Sequence, residues 1–326
     1  MSDISATTVA SDQQANQQQW IRKIGLFVSA GGSSALDLSN MRIVFRVFQA
    51  DLPSTPNYAT IKVYNLSDDT ATSVQKEFTA VRLQAGYEGG PYGVIFNGTI
   101  KMVRRGRDNP TDTYTEILAA DGDVGRNFGI VSKTLAAGAT QKTQLDTTIQ
   151  AMGLPAGYTP DLPAAALSRG KVLYGMARDR MNDIADTTNA TWSIQNGQVQ
   201  LVPLTSYIPG TAVVMNSNSG MVNMPELTED GIKLKALLNP QIKIGTLLQI
   251  NNKSIQGAFL GGQNLFAQGR LENIPGLLPK TTWDGFYRVY VSEFEGDTRG
   301  APWYSNLVCL AVDSSAKPAN AVLADG

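Results

Sequence analysis

Two long regions of this chain alternate apolar and polar side chains with a period of two, and a region of helical spacing separates them. The first region covers residues 20–123. Alternation of this kind is typical of strands with one buried face. Its clearest example places Met41, Ile43, Phe45 and Val47 between Arg42, Val44, Arg46 and Phe48. About six short antiparallel strands separated by turns predict a small barrel or sandwich.

A short helix interrupts this first region. Ser67 is suited to the N-cap position, and Asp68 and Asp69 then place two carboxylates in the first turn, where they interact favourably with the helix dipole. The strand pattern returns at residues 81–87, and a last strand is predicted at residues 113–120. The first region is therefore predicted to be a β domain with one helix.

Residues 124–190 have the spacing of helices. Leu145, Ile149 and Met152 share one helix face, and Gly153 follows them as a typical helix end. A second helix is predicted from an apolar stripe that consists of Leu173, Met176, Ala177, Met181, Ile184 and Ala185. We interpret this stripe as ordinary core packing rather than as a cofactor site.

The period of two returns at residue 191, where TWSIQNGQVQLV is the strongest hairpin signal in the chain. The Asn-Gly pair at residues 196–197 is suited to a type I′ turn. Counting outward from this turn pairs Ile194 with Val199 and Trp192 with Leu201 on one face. A tight antiparallel hairpin is therefore predicted here.

A second hairpin is predicted around Thr228, Glu229, Asp230 and Gly231. With the turn at Asp230 and Gly231, Leu227 would lie opposite Leu234, and the lysines of the second strand would lie on the other face.

Asn239 and Pro240 are then predicted to turn the chain toward a strand at residues 247–250. Two final strands are predicted at residues 286–294 and 303–312. The expected fold is mainly β with an α insert. Its predicted parts are an arm at 1–19, a first β domain at 20–123, a helical insert at 124–190, a second β domain at 191–312 with a long loop at 251–282, and a polar tail at 313–326.

The chain has no histidine and a single cysteine, Cys309, among its 326 residues. This composition excludes Ser-His-Asp and Cys-His catalysis, histidine-ligated zinc and an internal disulfide. The sequence also lacks a phosphate-binding loop and a calcium loop, so we expect no cofactor. Cys309 lies in the apolar strand LVCLAV, where we interpret it as a small buried hydrophobic residue.

Two pairs of acidic residues keep an enzymatic alternative open, namely Asp121 with Asp123 and Glu293 with Glu295. Residues two apart on a strand face the same way, so each pair could perform acid-base catalysis on a glycan. Both pairs lie at predicted strand ends beside glycine, where acidic residues are common in turns. We therefore favour a role without chemistry.

One basic cluster, consisting of Lys101, Arg104, Arg105 and Arg107, lies at the end of a predicted strand. It could contact phosphates of passing DNA, or it could be an exposed turn or a subunit contact, which is the interpretation we favour. The formal net charge of -1 predicts no general affinity for nucleic acid or anionic membranes.

The N-terminal residues lack the apolar core of a secretory signal and are predicted to form a disordered arm. No apolar run reaches about 18 residues, so no membrane insertion is predicted. We expect the chain to be made in, and to remain in, a cytoplasm.

Several segments resemble the hub proteins of bacteriophage baseplates. The run PELTEDGIKLKALLNPQIKIGTLLQINN and the later GFYRVYVSEFEGDTRGAPWYS resemble their second β domain, and TEDGIK to NP is the sharpest stretch. The segments IKVYNLSDDT, LQAGYEGG and VIFNGTI resemble the first hub domain. Relatives often carry histidine where this chain has Glu295, which argues that the position has no chemistry. The resemblance covers roughly residues 20–312.

The resemblance implies a structural protein and no enzyme. Hub proteins of long-tailed phages similar to phage Mu are homotrimers whose subunits each carry two tail-tube-like antiparallel β-barrel domains. Six barrels then form a pseudo-sixfold ring between the hexameric tail tube and the trimeric spike or cell-puncturing protein. The expected partners are copies of the chain, the tail tube protein, the spike, other baseplate subunits and the DNA that passes through the lumen.

The resemblance also implies a virion protein that is assembled in the host cytoplasm. The 228–231 hairpin and the Asn239-Pro240 turn are expected to be architectural. One alternative is another tail component, such as a tube or distal tail protein. A less favoured alternative is a glycan-cleaving tail enzyme that uses Glu293 and Glu295.

Overall fold

The structure is a computed structural model that describes residues 19–30, 35–51, 56–228, 231–250, 259–260, 263–264 and 285–312. The predicted arm up to residue 18, most of the 251–282 loop and the 313–326 tail lie outside these described residues. The fold is mainly β with a few helices, as predicted from the period of two. No helix in the described part of the chain has the length and apolar character needed to cross a membrane.

The first β unit consists of seven strands and one helix. They are β1 (Arg22–Ser29), β2 (Ala35–Asp37), β3 (Ile43–Ala50), β4 (Tyr58–Tyr64), α1 (Asp68–Lys76), β5 (Ala80–Tyr87), β6 (Tyr92–Arg107) and β7 (Thr113–Ala120). The Ser67 side chain accepts a hydrogen bond from the Thr70 N–H at 3.2 Å, which confirms the predicted N-cap. Alternate residues such as Phe45 and Ile61 build a buried core.

The insert contains three helices and two antiparallel pairs of strands. Its elements are α2 (Asp123–Phe128), β8 (Ile130–Leu135), α3 (Gln141–Met152), β9 (Lys171–Met176), α4 (Ala177–Thr187), β10 (Ala190–Gln195) and β11 (Gln198–Pro203). Helix α3 ends at Gly153 with a positive φ of 67°, as the sequence predicts.

The second predicted helix begins later than its apolar stripe indicates. Leu173 and Met176 lie on strand β9, because this segment alternates a buried Leu173 with exposed Val172 and Tyr174 and forms its backbone hydrogen bonds with β8. Only the part of the stripe from Ala177 onward is helical. The prediction of a helix from Leu173 was therefore wrong by about one turn.

The register of the β10–β11 hairpin is as predicted. Trp192 pairs with Leu201 and Ile194 with Val199. Asn196 and Gly197 have φ angles of 52° and 79°, as a type I′ turn requires. The hairpin packs into the same core as α3 and α4 rather than into the second β unit. The domain limit at residue 190 stays a prediction, and this packing favours a later limit after β11.

The second β unit contains the remaining strands. They are β12 (Val213–Met215), β13 (Glu226–Thr228), β14 (Gly231–Leu237), β15 (Leu247–Ile250), β16 (Phe259–Leu260), β17 (Gln263–Asn264), β18 (Phe286–Asp297) and β19 (Trp303–Ala311). In the β13–β14 pair, Leu227 lies opposite Ile232 and not opposite Leu234. The predicted register was therefore wrong by two residues, because Gly231 already belongs to β14.

The two β units form one continuous sheet. Its order is β13-β14-β19-β18-β3-β4-β7-β6-β5-β1-β2, and β15 and β12 branch from β18. The two units meet where β18 pairs with β3, from Val291 opposite Ala50 to Asp297 opposite Val44. The predicted class is confirmed as a mainly β fold with few helices. Closure of each unit into a barrel stays a prediction.

The two units repeat one topology. The first has the antiparallel order β3-β4-β7-β6-β5, and the second has the antiparallel order β13-β14-β19-β18-β15. The long strands β6 and β18 occupy the same place in the two orders. The pairing of β6 with β7 shifts between Ile100 and Met102, and that of β18 with β19 shifts between Val289 and Val291. Each long strand therefore carries a bulge near its middle.

Candidate assembly site at the junction of the β units

Strand β18 changes its partner at its bulge. Before the bulge Phe286 to Arg288 pair with β15, and after the bulge Val291 to Asp297 pair with β3. The carbonyl of Tyr290, at the bulge, accepts a hydrogen bond of 2.9 Å from the Asp51 N–H just past the end of β3. The bulge thus turns one strand from the second unit into the first.

Ion pairs cross the exposed face of this junction. Arg46 on β3 pairs with Glu293, and Lys235 on β14 pairs with Glu295 at 3.1 Å. Glu293 and Glu295 lie on the same face of β18, as the sequence predicts, but a cation from another strand holds each of them. Both glutamates are therefore engaged in ion pairs rather than forming a free carboxylate pair.

A second charged cluster holds the far end of β18. Arg42 pairs with Asp297 at 2.9 Å, and Arg22 on β1 donates to the carbonyls of Asp297 and Ala301 at 2.9 Å each. The Arg22 guanidinium also lies over the Trp303 ring, 5.4 Å from its centroid. Burial, the largest single effect, acts to raise the pKa of Asp297. The hydrogen bond and charge of Arg42, together with the backbone N–H groups of Arg299 and Gly300, outweigh it, so the pKa is lowered.

A fully buried ion pair joins the two units and the insert. Arg288 on β18 donates to the carboxylate of Asp51 and to Thr191 Oγ1 on β10 at 2.9 Å, and Thr191 Oγ1 donates to Asp51 at 2.6 Å. Arg288 also donates to the carbonyl of Pro203, at the end of β11, at 2.7 Å. Burial lowers the pKa of Arg288 to about 10, so the guanidinium stays charged at neutral pH.

Asp121 forms a second buried contact between the first unit and the insert. Its Oδ1 accepts a hydrogen bond of 2.8 Å from the Gly197 N–H in the β10–β11 turn. Its Oδ2 is buried with no hydrogen-bond partner among the described residues. Burial raises the pKa of Asp121 to about 7, although the backbone N–H groups of Gly197 and Asn196 act to lower it.

Asp121 and Asp123 do not form a pair. Asp123 is the first residue of helix α2, where its carboxylate contacts Lys101 and accepts from Asn127 Nδ2 at 2.8 Å. The prediction that the two carboxylates face the same way was wrong, because β7 ends at Ala120 and the chain turns at Gly122 into the helix.

The basic cluster divides between different surroundings. Lys101 is paired with Asp123 and Arg105 with Asp68, whereas Arg104 Nε lies 3.0 Å from the sulfur of Met102. Arg104 and Arg107 form no ion pair with a described residue, and both are exposed. A role in contacting DNA or another subunit stays a prediction.

The predicted hairpin and turn residues lie at the edge of the second unit. Thr228 Oγ1 donates to the Gly231 carbonyl at 2.9 Å, and Gly231 has a φ of 122°. A Cβ at Gly231 would lie only 2.5 Å from the Cys309 carbonyl oxygen, so glycine is required by both space and conformation. Glu229 and Asp230 lie outside the described residues.

The Asn239-Pro240 turn leads to β15, as predicted. The Asn239 side chain accepts a hydrogen bond from the Gln241 N–H at 3.0 Å, and its N–H donates to Ser305 Oγ on β19 at 3.2 Å. Pro240 faces Gly93 at the start of β6, where an added Cβ would lie 3.6 Å from the proline ring. This turn thus brings the second unit against the first.

Sequence reasoning missed Asp51 and Arg288, the two residues that join all three parts. They are 237 positions apart, and each is a single charged residue near a strand pattern. No local spacing relates them. The signal that could have found them is the presence of a charge inside an otherwise apolar strand segment, FYRVYV, because a buried charge needs a partner.

Residues 21–260 match the family model of the baseplate hub gp41. The chain belongs to this family. It is therefore a structural protein of the bacteriophage tail baseplate and part of the virion tail. A search of curated proteins finds no match to the sequence.

Solved tail proteins share the fold. The 43 kDa tail protein of prophage MuSo2 from Shewanella oneidensis is 7% identical with a TM-score of 0.55, and the match covers 90% of this chain and 99% of that one. The tail protein from Neisseria meningitidis MC58 is 9% identical, with a TM-score of 0.53 and coverage of 90% and 97%.

A protein of a secretion system is similar as well. The Escherichia coli c3393 protein, a component of the type VI secretion system with structural similarity to the T4 bacteriophage tail proteins gp27 and gp5, is 7% identical with a TM-score of 0.53. That match covers 89% of this chain and 77% of c3393. At identities this low, the structural similarity shows that this baseplate hub and its neighbours share a fold.

Proposed function

We propose that this hub is a homotrimer that joins the sixfold tail tube to the threefold spike and continues the channel through which the phage DNA leaves. The repeated strand order of the two β units supports this most directly. Three copies of a chain with two equivalent units present six equivalent units. Such a ring matches a sixfold partner on one side and a threefold partner on the other.

The face of the sheet that carries Glu293 and Glu295 is proposed to line the channel. This face runs from the second unit into the first without a break, because cross-strand partners share a face. The two glutamates are neutralised by Arg46 and Lys235. A surface of paired charges neither retains nor strongly repels a passing polyanion.

The insert is proposed to contact the spike or neighbouring baseplate subunits. Phe128, Ile130, Val172 and Tyr174 lie on the outer side of α2 and the β8–β9 pair and are 69%, 62%, 69% and 74% exposed. Large apolar side chains exposed together favour a protein contact. We propose the 251–282 segment as the alternative to the insert for this contact, and architectural roles for the 228–231 hairpin and the Asn239-Pro240 turn.

The mass of the protein in solution tests the proposal. Light scattering after size exclusion is expected to give three times the chain mass of 35.0 kDa. A monomer at high concentration would contradict the trimer. A hexamer without a trimeric intermediate would favour a tube or distal tail protein instead. Density for the chain at the tip of the tail tube in imaged virions would test its place.

The enzymatic alternative is tested by Glu293→Gln and Glu295→Gln. We expect the purified protein and both variants to give the same background turnover of peptidoglycan and polysaccharide, because both carboxylates serve in ion pairs. If the wild-type protein turned over either glycan and either variant lost that turnover, the result would support the hydrolase alternative instead.

A further inference from the structure

The two long strands of the sheet differ in one respect. After its bulge, β18 pairs with β19 on one side and with β3 on the other. After its bulge, β6 pairs with β7 on one side, from Met102 to Arg107. On the other side β5 has already ended, at Ala80 opposite Thr99, and no described strand takes its place. In the described part of the chain, this side of β6 is therefore a strand edge without a strand partner, and helix α1 contacts the same stretch through the ion pair of Asp68 with Arg105.

A second strand edge lies at one end of the sheet. Strand β13 is the last strand in the order, and it pairs with β14 alone among the described strands. In the repeated topology, β13 occupies the place of β3, and β6 occupies the place of β18. The contact between β18 and β3 within one chain therefore has an unfilled counterpart between β6 of one chain and β13 of another.

We propose that residues 102–107 of β6 pair antiparallel with β13 of a second copy of this chain, so that the junction inside the chain is repeated between chains. This inference rests on the proposed trimer and names the edges that build it. Three such contacts close a ring in which every unit meets the next in the same way.

The bulges set the register of the proposed contact. Val291, the first residue after the bulge of β18, lies opposite Ala50, the last residue of β3. Met102 on β6 is the equivalent of Val291, since each is the first residue after the bulge. Glu226 on β13 is the equivalent of Arg46, because Glu226 leads through Lys233 to Val308 as Arg46 leads through Thr60 to Leu118. Thr228 is then the equivalent of Phe48.

Arg104, the equivalent of Glu293, then lies opposite Thr228 of the partner subunit and diagonal to Glu226 of the partner subunit. Inside the chain, Glu293 likewise lies opposite Phe48 and forms its ion pair with the diagonal Arg46.

Both side chains lie on the required face. A row of directly opposite residues runs across the sheet from Arg104 through Glu116, Lys62 and Val44 to Asp297 on β18. Asp297 lies on the same face of β18 as Val291. Through Lys233, Val308 and Val291, Glu226 belongs to the same face. Cross-strand partners share a face, so the two side chains would meet.

The charges of the two edges are complementary. Arg104 and Glu226 are exposed, and neither forms an ion pair with a described residue. The β6 edge also carries Arg107, and Glu229 and Asp230 follow β13 in the sequence. The internal junction uses the same principle with opposite signs, because there the long strand supplies Glu293 and the short strand supplies Arg46. An edge strand of this kind invites pairing by strand addition.

Charge reversal tests the contact. Arg104→Glu and Glu226→Arg are each expected to weaken trimer association by about tenfold or more, measured by sedimentation, because each of the three junctions in a ring then holds like charges at diagonal cross-strand positions. The double variant that exchanges the charges is expected to restore association. The matched control is Arg82→Glu, which changes an exposed arginine on β5 away from both edges.

A disulfide measures the register directly. In the Arg104→Cys and Thr228→Cys double variant, mild oxidation is expected to give covalent dimers and trimers, whereas Arg82→Cys with Thr228→Cys stays monomeric on a denaturing gel. Cys309 is buried and adds little background. A wild-type trimer that is unaffected by charge reversal and forms no crosslink would overturn this contact and leave the trimer standing. A wild-type monomer at high concentration would overturn both.

Discussion

Two buried carboxylates hold the insert to the first β unit, and their charges are balanced in different ways. Asp51 faces a guanidinium, that of Arg288, and a hydroxyl, that of Thr191. Asp121 accepts a hydrogen bond from the uncharged backbone N–H of Gly197. In each carboxylate the other oxygen is buried with no hydrogen-bond partner in the described part of the chain. The first carboxylate is neutralised by a permanent cation, whereas the second is neutralised by a proton when its pKa is reached. One contact is therefore insensitive to pH near neutrality, and the other is sensitive.

The largest effect is expected from Arg288→Met, which removes the cation and leaves Asp51 buried. Breaking a buried ion pair from one side costs about 3–5 kcal/mol. The free energy of unfolding, measured by urea titration at pH 7.5, is expected to fall by this amount. Adding Asp51→Asn to the variant is expected to recover part of the loss. If Arg288→Met lowered the free energy of unfolding no more than Arg82→Met does, the ion pair would not stabilise the fold.

A smaller effect is expected from Asp121→Asn, which removes a buried carboxylate instead of the cation that neutralises one. The pKa of Asp121 rises from 3.8 to about 7 on folding, so protonation stabilises the native state fully below about pH 4, and this contribution is lost as the pH rises to 7. The asparagine variant has no such loss. Between pH 5 and pH 7, the stability of the variant relative to the wild type is expected to rise by about 2 kcal/mol.

Urea titrations of both proteins at four pH values in this range would measure the difference. The comparison between variant and wild type removes the contribution of other carboxylates, including Asp297, whose pKa is lowered. A constant difference across the range would mean that Asp121 stays charged in the folded protein, solvated by water or after a conformational change, instead of taking up a proton.

The smallest effect is expected from Thr191→Val. This change removes the hydroxyl that bridges Asp51 and Arg288 but keeps the shape of the side chain and the ion pair. Loss of a hydrogen bond to a charged group costs about 1.5 kcal/mol. The exposed Thr187→Val on α4 is the control and is expected to change stability by less than about 0.5 kcal/mol. Equal changes in the free energy of unfolding for the two variants would mean that the Thr191 hydroxyl does not stabilise the ion pair.

Local patterns of this sequence predict the elements well, because each depends on neighbours in the chain. The β10–β11 register follows from the Asn-Gly pair at residues 196–197, and the start of α1 follows from Ser67. The second hairpin was misplaced by two residues because Asp230-Gly231 also resembles a turn pair. In the fold, close approach of Gly231 to the Cys309 carbonyl assigns that glycine to a strand.

The assembly of the elements could not be predicted in the same way. The pairing of β18 with β3 joins residues about 250 positions apart, and no spacing in either strand indicates it. The glutamates of β18 were candidates for chemistry because two residues apart on a strand face the same way. Their partners, Arg46 and Lys235, come from other strands, and only the sheet order brings them together.

The tips of β18 and β19 also belong to the first unit. Phe294 and Trp303 are buried in its core, where the Trp303 ring packs edge-on against Phe45 at 5.5 Å between centroids. During translation the first unit therefore cannot complete its core until residue 303 has left the ribosome, and part of its apolar face stays exposed to solvent until then. The chain must remain soluble through the synthesis of the insert and most of the second unit, and in this interval we expect it to depend most on chaperones.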